Sequence, residues 1–182
     1  MNRTKSIILN VVAGIATLGV ILGVMWLLEP KATSGSDGSV YLYNGDGRIS
    51  NSADKQWAWD DAALFAPSDK DINQTFKCPA NSARIYTFIS DRGKERVKLE
   101  WRSFGYNGFK PGTTEALQVN VSPVYTLDGG TTGQSLLKAN GGKFSLGFAC
   151  VAEDDKTVLK TFFRFISVEG GSGNWTALPN AN

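Results

Sequence analysis

Apolar and polar positions divide the chain into two unlike parts. Residues 6–28, SIILNVVAGIATLGVILGVMWLL, form a run of 23 residues without a charge. As a helix this run would be about 34 Å long, enough to cross a hydrocarbon core of about 30 Å. A cleaved secretory signal has a shorter apolar core and small residues just before the cut. Here the run ends in the bulky Met25-Trp26-Leu27-Leu28, and Pro30 stands two positions ahead of the nearest candidate cut after Ala32. The pattern therefore predicts an uncleaved signal anchor. Arg3 and Lys5 on the short side favour an inside N-terminus. Residues 1–5 then read as a cytoplasmic tail, 6–28 as a single transmembrane helix, and the remainder as extracytoplasmic. Gly19 and Gly23 have the small-xxx-small spacing of a helix-dimerisation face, although glycine is common in membrane helices without any such role.

Beyond the apolar run the periodicity changes to that of strands. Residues 29–39 (EPKATSGSDGS) are small and polar and read as a flexible tether, with a β-domain over 40–182. Val40–Tyr43 predicts a first strand. Gln56–Phe65 (QWAWDDAALF) predicts a short helix, the only one expected in the domain. Thr75–Cys78, Ala83–Ser90, Arg96–Ser103, Leu117–Ser122 and Gln134–Ala139 predict further strands, and Phe104–Gly112 a glycine- and aromatic-rich loop. In Arg96–Ser103 the apolar Val97, Leu99 and Trp101 alternate with charged residues, as in a half-buried strand. The strongest pattern is the last pair. Lys143–Ala152 sets Phe144, Leu146, Phe148 and Cys150 on one face, and Thr157–Val168 returns after Glu153-Asp-Asp-Lys156. Phe162-Phe163 interrupts the return strand's alternation, which calls for a bulge or burial on both faces. Asn174–Thr176 adds a final pairing. Seven or eight short strands at intervals near ten residues predict an all-β sandwich.

Composition adds mainly exclusions. Of 19 basic residues, two precede the apolar run and the other 17 match the 17 acidic residues, so the chain beyond that run is formally neutral and gives no sign of a nucleic-acid partner. The chain has no histidine, the commonest general base, and neither Ser-x-x-Lys nor Gly-x-Ser-x-Gly occurs. Asp60-Asp61 and Asp154-Asp155 fit a helix start and a turn better than a catalytic pair. The expectation is a non-enzymatic protein without a cofactor. Asn44 and Asp46 fit two positions of a calcium loop, but Leu42 and Ala53 occupy the positions of its essential carboxylates; an Asn-Gly/Asp-Gly turn accounts for the same residues. No metal is expected. Trp57 and Trp59, or Phe104, Tyr106 and Phe109, are candidates for an aromatic ligand platform. For the tryptophans a plug over the open end of the core is the favoured reading.

Gly142-Lys-Phe-Ser-Leu-Gly-Phe-Ala-Cys150, together with Cys78-Pro79-Ala80, resembles the immunoglobulin-like domains of Gram-positive bacterial membrane-anchored surface proteins over residues 75–178. That resemblance implies an immunoglobulin-like sandwich at a cell surface, in proteins that are often adhesive or structural. Cys78 departs from the antibody-type pattern by preceding its strand. Two cysteines outside the cytoplasm form an even count, and a Cys78–Cys150 bridge is expected. The functional expectation is a membrane-anchored binding or adhesion domain whose partner is a protein or glycan of the envelope or host surface. The alternatives are a carbohydrate-binding module and a structural subunit of an envelope assembly.

Overall fold

The computed structural model describes residues 35–52, 54–127 and 130–178. The tail 1–5, the apolar run 6–28 with Gly19 and Gly23, and residues 29–34 of the expected tether lie outside the described residues. Among the described residues, no helix is long and apolar enough to cross a membrane.

The described chain is an all-β domain built on one six-stranded antiparallel sheet. Its central members are β9 (Gly142–Ala152) and β10 (Val158–Val168), eleven residues each, joined by the acidic turn. On one side β9 pairs with β5 (Ser82–Ser90), which pairs with β6 (Ser103–Asn107). On the other side β10 pairs with β11 (Trp175–Ala177), and β11 with β2 (Gln56–Trp57). Two small sheets complete the strands. The first joins β1 (Tyr41–Asn44), β3 (Ala63–Ala66) and β8 (Val119–Asn120), and the second joins β4 (Thr75–Lys77) and β7 (Glu115–Leu117).

Side-chain alternation on β9 explains this arrangement. Phe144, Leu146, Phe148 and Cys150 point to one face and join Ile85, Ile89, Phe162 and Ile166 of the same sheet. They form a single core with Leu42, Phe65 and Val119 of the first small sheet and Phe76 and Ala116 of the second. The opposite face carries Phe88, Ala149, Val151, Phe163 and Phe165, roofed by Trp101. Phe162 and Phe163 therefore occupy opposite, buried faces, and the register shift of β10 lies between Val158 and Lys160 instead. Gly147 stands opposite Phe163; a side chain there would collide with the Phe162 carbonyl and the Phe163 α-carbon. The Cys78–Cys150 disulfide is present, with α-carbons 5.7 Å apart, and it ties the end of β4 to the large sheet.

Five local expectations are corrected. Residues 56–65 are not a helix but two strands around a turn, in which the Asp61 carboxylate accepts from the Ala58 N–H. Residues 96–103 form no strand before Ser103: Lys98–Glu100 is a 3-10 turn, Val97 and Leu99 are exposed, and only Trp101 turns inward. Trp101 thus packs on the face away from the disulfide. Residues 103–107, expected mostly as loop, are strand β6, where Gly105 allows the Tyr125 carbonyl to approach. The run 117–122 is divided between two sheets at Gln118, whose φ is 46°. Finally, Gln134–Asn140 is a helix, α1, closed at Gly141 by an N–H to the Leu137 carbonyl. Among the described residues the strands number eleven, several of only two or three residues, against the seven or eight expected.

Residues 35–39 also differ from a free tether. The Asp37 N–H donates to the Thr161 carbonyl and the Asp37 carboxylate accepts from the Thr161 N–H, while the Ser36 hydroxyl accepts from the Phe163 N–H. This segment covers the part of the β10 edge that β11 leaves open, which protects it from pairing with another chain.

Candidate binding surfaces

The expected aromatic platform is dispersed. Trp57 is buried and stacks on Trp175 at 5.2 Å, and Trp59 is buried with its indole N–H on the Gln134 side-chain oxygen. Both serve as core plugs and offer no ligand face. Phe109 packs, partly buried, against the main core. Phe104 lies edge-on between Tyr86 and Trp101, with centroids at 5.7 and 6.0 Å, and is also partly buried. Only Tyr106, 69% exposed, presents a ring to solvent.

The calcium candidates sit in a hairpin turn. The Asn44 side-chain oxygen accepts from the Arg48 N–H, and Gly47 takes the left-handed conformation. Asp46 lines a small depression with Asp61 and Lys55. Among the described residues, no group of three or more acidic, histidine or cysteine side chains could hold a metal ion.

Two surface features stand out. The first is a groove of about 490 Å³ between the 91–102 connection and the β9–β10 turn, lined in part by Lys98, Leu99, Phe104, Asp154 and Asp155. Lys98 is its centre. Its ammonium contacts the Asp155 carboxylate at 2.8 Å and donates to the Asp155 carbonyl, and it lies 4.1 Å from the Tyr86 ring centre. The Tyr86 hydroxyl donates to the other Asp155 oxygen at 2.8 Å. Burial and that carboxylate push the Tyr86 pKa up. The Lys98 hydrogen bond, with help from Tyr86, holds Asp155 below the usual carboxylate range. This arrangement is a closed ion pair packed on aromatic rings, and Lys98 has no unengaged acid–base partner in it.

Asp154 beside it is held down to about 2 by the Thr157 hydroxyl and by the N–H groups of Thr157 and Lys156. A carboxylate depressed in the folded state stabilises the fold above its unfolded pKa of about 4, and that contribution is lost as pH falls through the folded value. Asp155 acts in the same direction. Asp154→Asn is therefore expected to lower the urea midpoint at neutral pH and to flatten its fall between about pH 4 and pH 2. An acid limb as steep as the parent's would show that Asp154 does not carry it.

The second feature is the rim of β6. The segment 124–127 runs along the outer edge of that strand, with the Leu127 N–H donating to the Phe104 carbonyl. Tyr106, Val124, Tyr125 and Leu127 are all exposed there, four of the nine large exposed hydrophobic side chains among the described residues. Such side chains need no explanation when scattered singly, but here four of them lie on two neighbouring segments at one strand edge. The residues 124–127 carried no distinguishing sequence signal, because Val, Tyr and Leu after Pro123 look the same whether they face a core or a partner.

Elsewhere, Arg164 is buried on the core face of β10, where its guanidinium donates to the Val40 and Leu178 carbonyls and the Asn51 side-chain oxygen. Burial lowers its pKa. It joins the start of the domain to its last strand and is not part of either surface. Comparison with known protein families, curated proteins and solved structures finds no match for this chain.

Proposed function

We propose that this protein is a membrane-anchored, non-enzymatic, extracytoplasmic domain of the cell envelope that acts by binding another protein through the β6 rim. In this reading residues 6–28 cross the membrane once with the N-terminus inside, and the β-domain is an immunoglobulin-like sandwich of the kind found on Gram-positive surface proteins. The disulfide supports the location, since such bridges persist in oxidising compartments. The observation that carries the binding role is the exposed Tyr106, Val124, Tyr125 and Leu127 on one strand edge. Aromatic anchors with aliphatic neighbours are what protein interfaces bury at their centres.

The carbohydrate reading is the weaker one, because Tyr106 alone of the five platform candidates has an open ring. The test places a photo-crosslinking benzoyl-phenylalanine at Tyr106 in the full chain in its own cells, with Leu117 on β7 as an exposed control. A discrete protein adduct from position 106 and none from 117 is expected. Tyr125→Glu with Leu127→Glu should cut its yield by on the order of tenfold at unchanged melting temperature. Equal labelling from both positions would remove the rim from consideration, and an adduct with glycan in place of protein would favour the carbohydrate reading.

A further inference from the structure

The 91–102 connection is a roof over the outer face of the large sheet, and it exposes apolar side chains where none is needed to close the core. Leu99 is 78% and Val97 41% exposed, while from this connection it is the neighbouring Trp101 that joins the apolar cluster on the sheet face. This connection is also where the chain enters the domain, because the Arg96 guanidinium meets the Asp37 carboxylate at 2.6 Å. Seven residues, and so eight Cα-to-Cα steps, separate Leu28, the end of the apolar run, from Ser36, the first residue fastened to β10. Fully drawn out they cover about 28 Å, less than the width of roughly 40 Å expected for a domain of this length. With residues 6–28 in a bilayer, a connection of this length keeps Ser36, and with it the neighbouring Asp37–Arg96 pair, within reach of the bilayer surface.

We infer that residues 92–99 rest on the outer surface of the phospholipid bilayer, with Val97 and Leu99 entering the boundary between headgroups and acyl chains. This inference rests on the membrane anchoring proposed above. Electrostatics is a minor contributor, because the cations of this loop are already engaged. Arg96 pairs with Asp37, Lys94 pairs with Glu100 at 2.7 Å, Arg92 lies over the Phe165 ring, and Lys98 is held by Asp155. Two aliphatic side chains are too little to hold a free protein on a membrane. They suffice only because the short connection keeps their concentration at the surface high. The contact is thus conditional on the anchor, and it fixes which side of the domain faces away from the cell.

The test uses the full chain, with its disulfide intact, reconstituted into vesicles of phosphatidylcholine with and without phosphatidylglycerol. An environment-sensitive fluorophore is attached at Leu99→Cys or, on the small sheet packed against the opposite face, at Leu117→Cys, and nitroxide lipids serve as quenchers. Flotation of the vesicles after alkaline washing reports anchoring separately. The expected result is flotation with at least about twofold quenching at position 99, little at 117, and nearly equal signals in the two lipid mixtures. Inserting about 20 Gly/Ser residues between Thr33 and Ser34 should reduce the quenching at least about twofold while flotation persists. Flotation without quenching at 99, or quenching unaffected by the insertion, overturns the docking but leaves the anchor standing. Loss of flotation overturns both.

Discussion

Reducing the Cys78–Cys150 bridge, or replacing Cys78 by Ala under oxidising conditions, is expected to lower the melting temperature of the domain by on the order of 10 °C. The two cysteines are 72 residues apart in sequence. Closing a loop of that length restricts the unfolded chain by about 4 kcal/mol in the chain-entropy model. The native side offers no compensation. Cys150 is fully buried between Ile85 and Lys160 on its neighbouring strands, and Cys78 is buried beside it. Beyond the main chain itself, the bridge is the covalent cross-link between the β4–β7 pair, joined by three residue pairs, and the large sheet. Its loss should therefore be felt first there, as faster amide exchange at Phe76 and Ala116. Oxidised protein should resist thiol alkylation after denaturation. A Cys78→Ala variant melting like the parent would show that the small sheet is held by packing alone.

How much of this could be read beforehand depended on strand length. β5, β9 and β10 are nine to eleven residues long, and their repeated alternation identifies both faces. The disulfide followed from an even cysteine count. Residues 96–101 show where the method fails. Val97, Leu99 and Trp101 have a strand's spacing, but spacing says nothing about whether a neighbouring strand exists to receive the hydrogen bonds, and here none does. The helix α1 was hidden for the opposite reason, since Leu137 is its sole buried residue and one contact sets no period. Trp57 and Trp59 illustrate the limit for sites: two tryptophans in an irregular stretch favour a core plug without excluding a platform, and burial decides for the plug. The β6 rim and the Lys98–Asp155 pair depend on residues 50 or more positions apart meeting across strands, or on segments laid along an edge, which no local pattern records.

Trp101→Ala is expected to cost about 3–5 kcal/mol, again on the order of 10 °C in melting temperature. Its ring is fully buried and lies flat on Phe88, with centroids 4.7 Å apart, and meets Tyr86 and Phe104 edge-on. Its indole N–H donates to the Glu95 carbonyl at 3.0 Å, and its own carbonyl accepts from the Thr131 N–H. Truncation would open a cavity over Phe88 and leave the Glu95 carbonyl without its donor, so lost packing and a lost hydrogen bond add. Trp101→Phe keeps most of the stacking and loses the hydrogen bond, and should cost about 1–2 kcal/mol. The two variants separate these contributions by urea denaturation. Because Trp101 pins the whole 91–102 connection, its removal should also raise amide exchange at Val97 and Leu99. If Trp101→Ala instead melts within about 2 °C of the parent, the connection does not unfold with the sheet it covers. The outer face formed by Phe88, Phe163 and Phe165 would then have to be closed by something other than this roof.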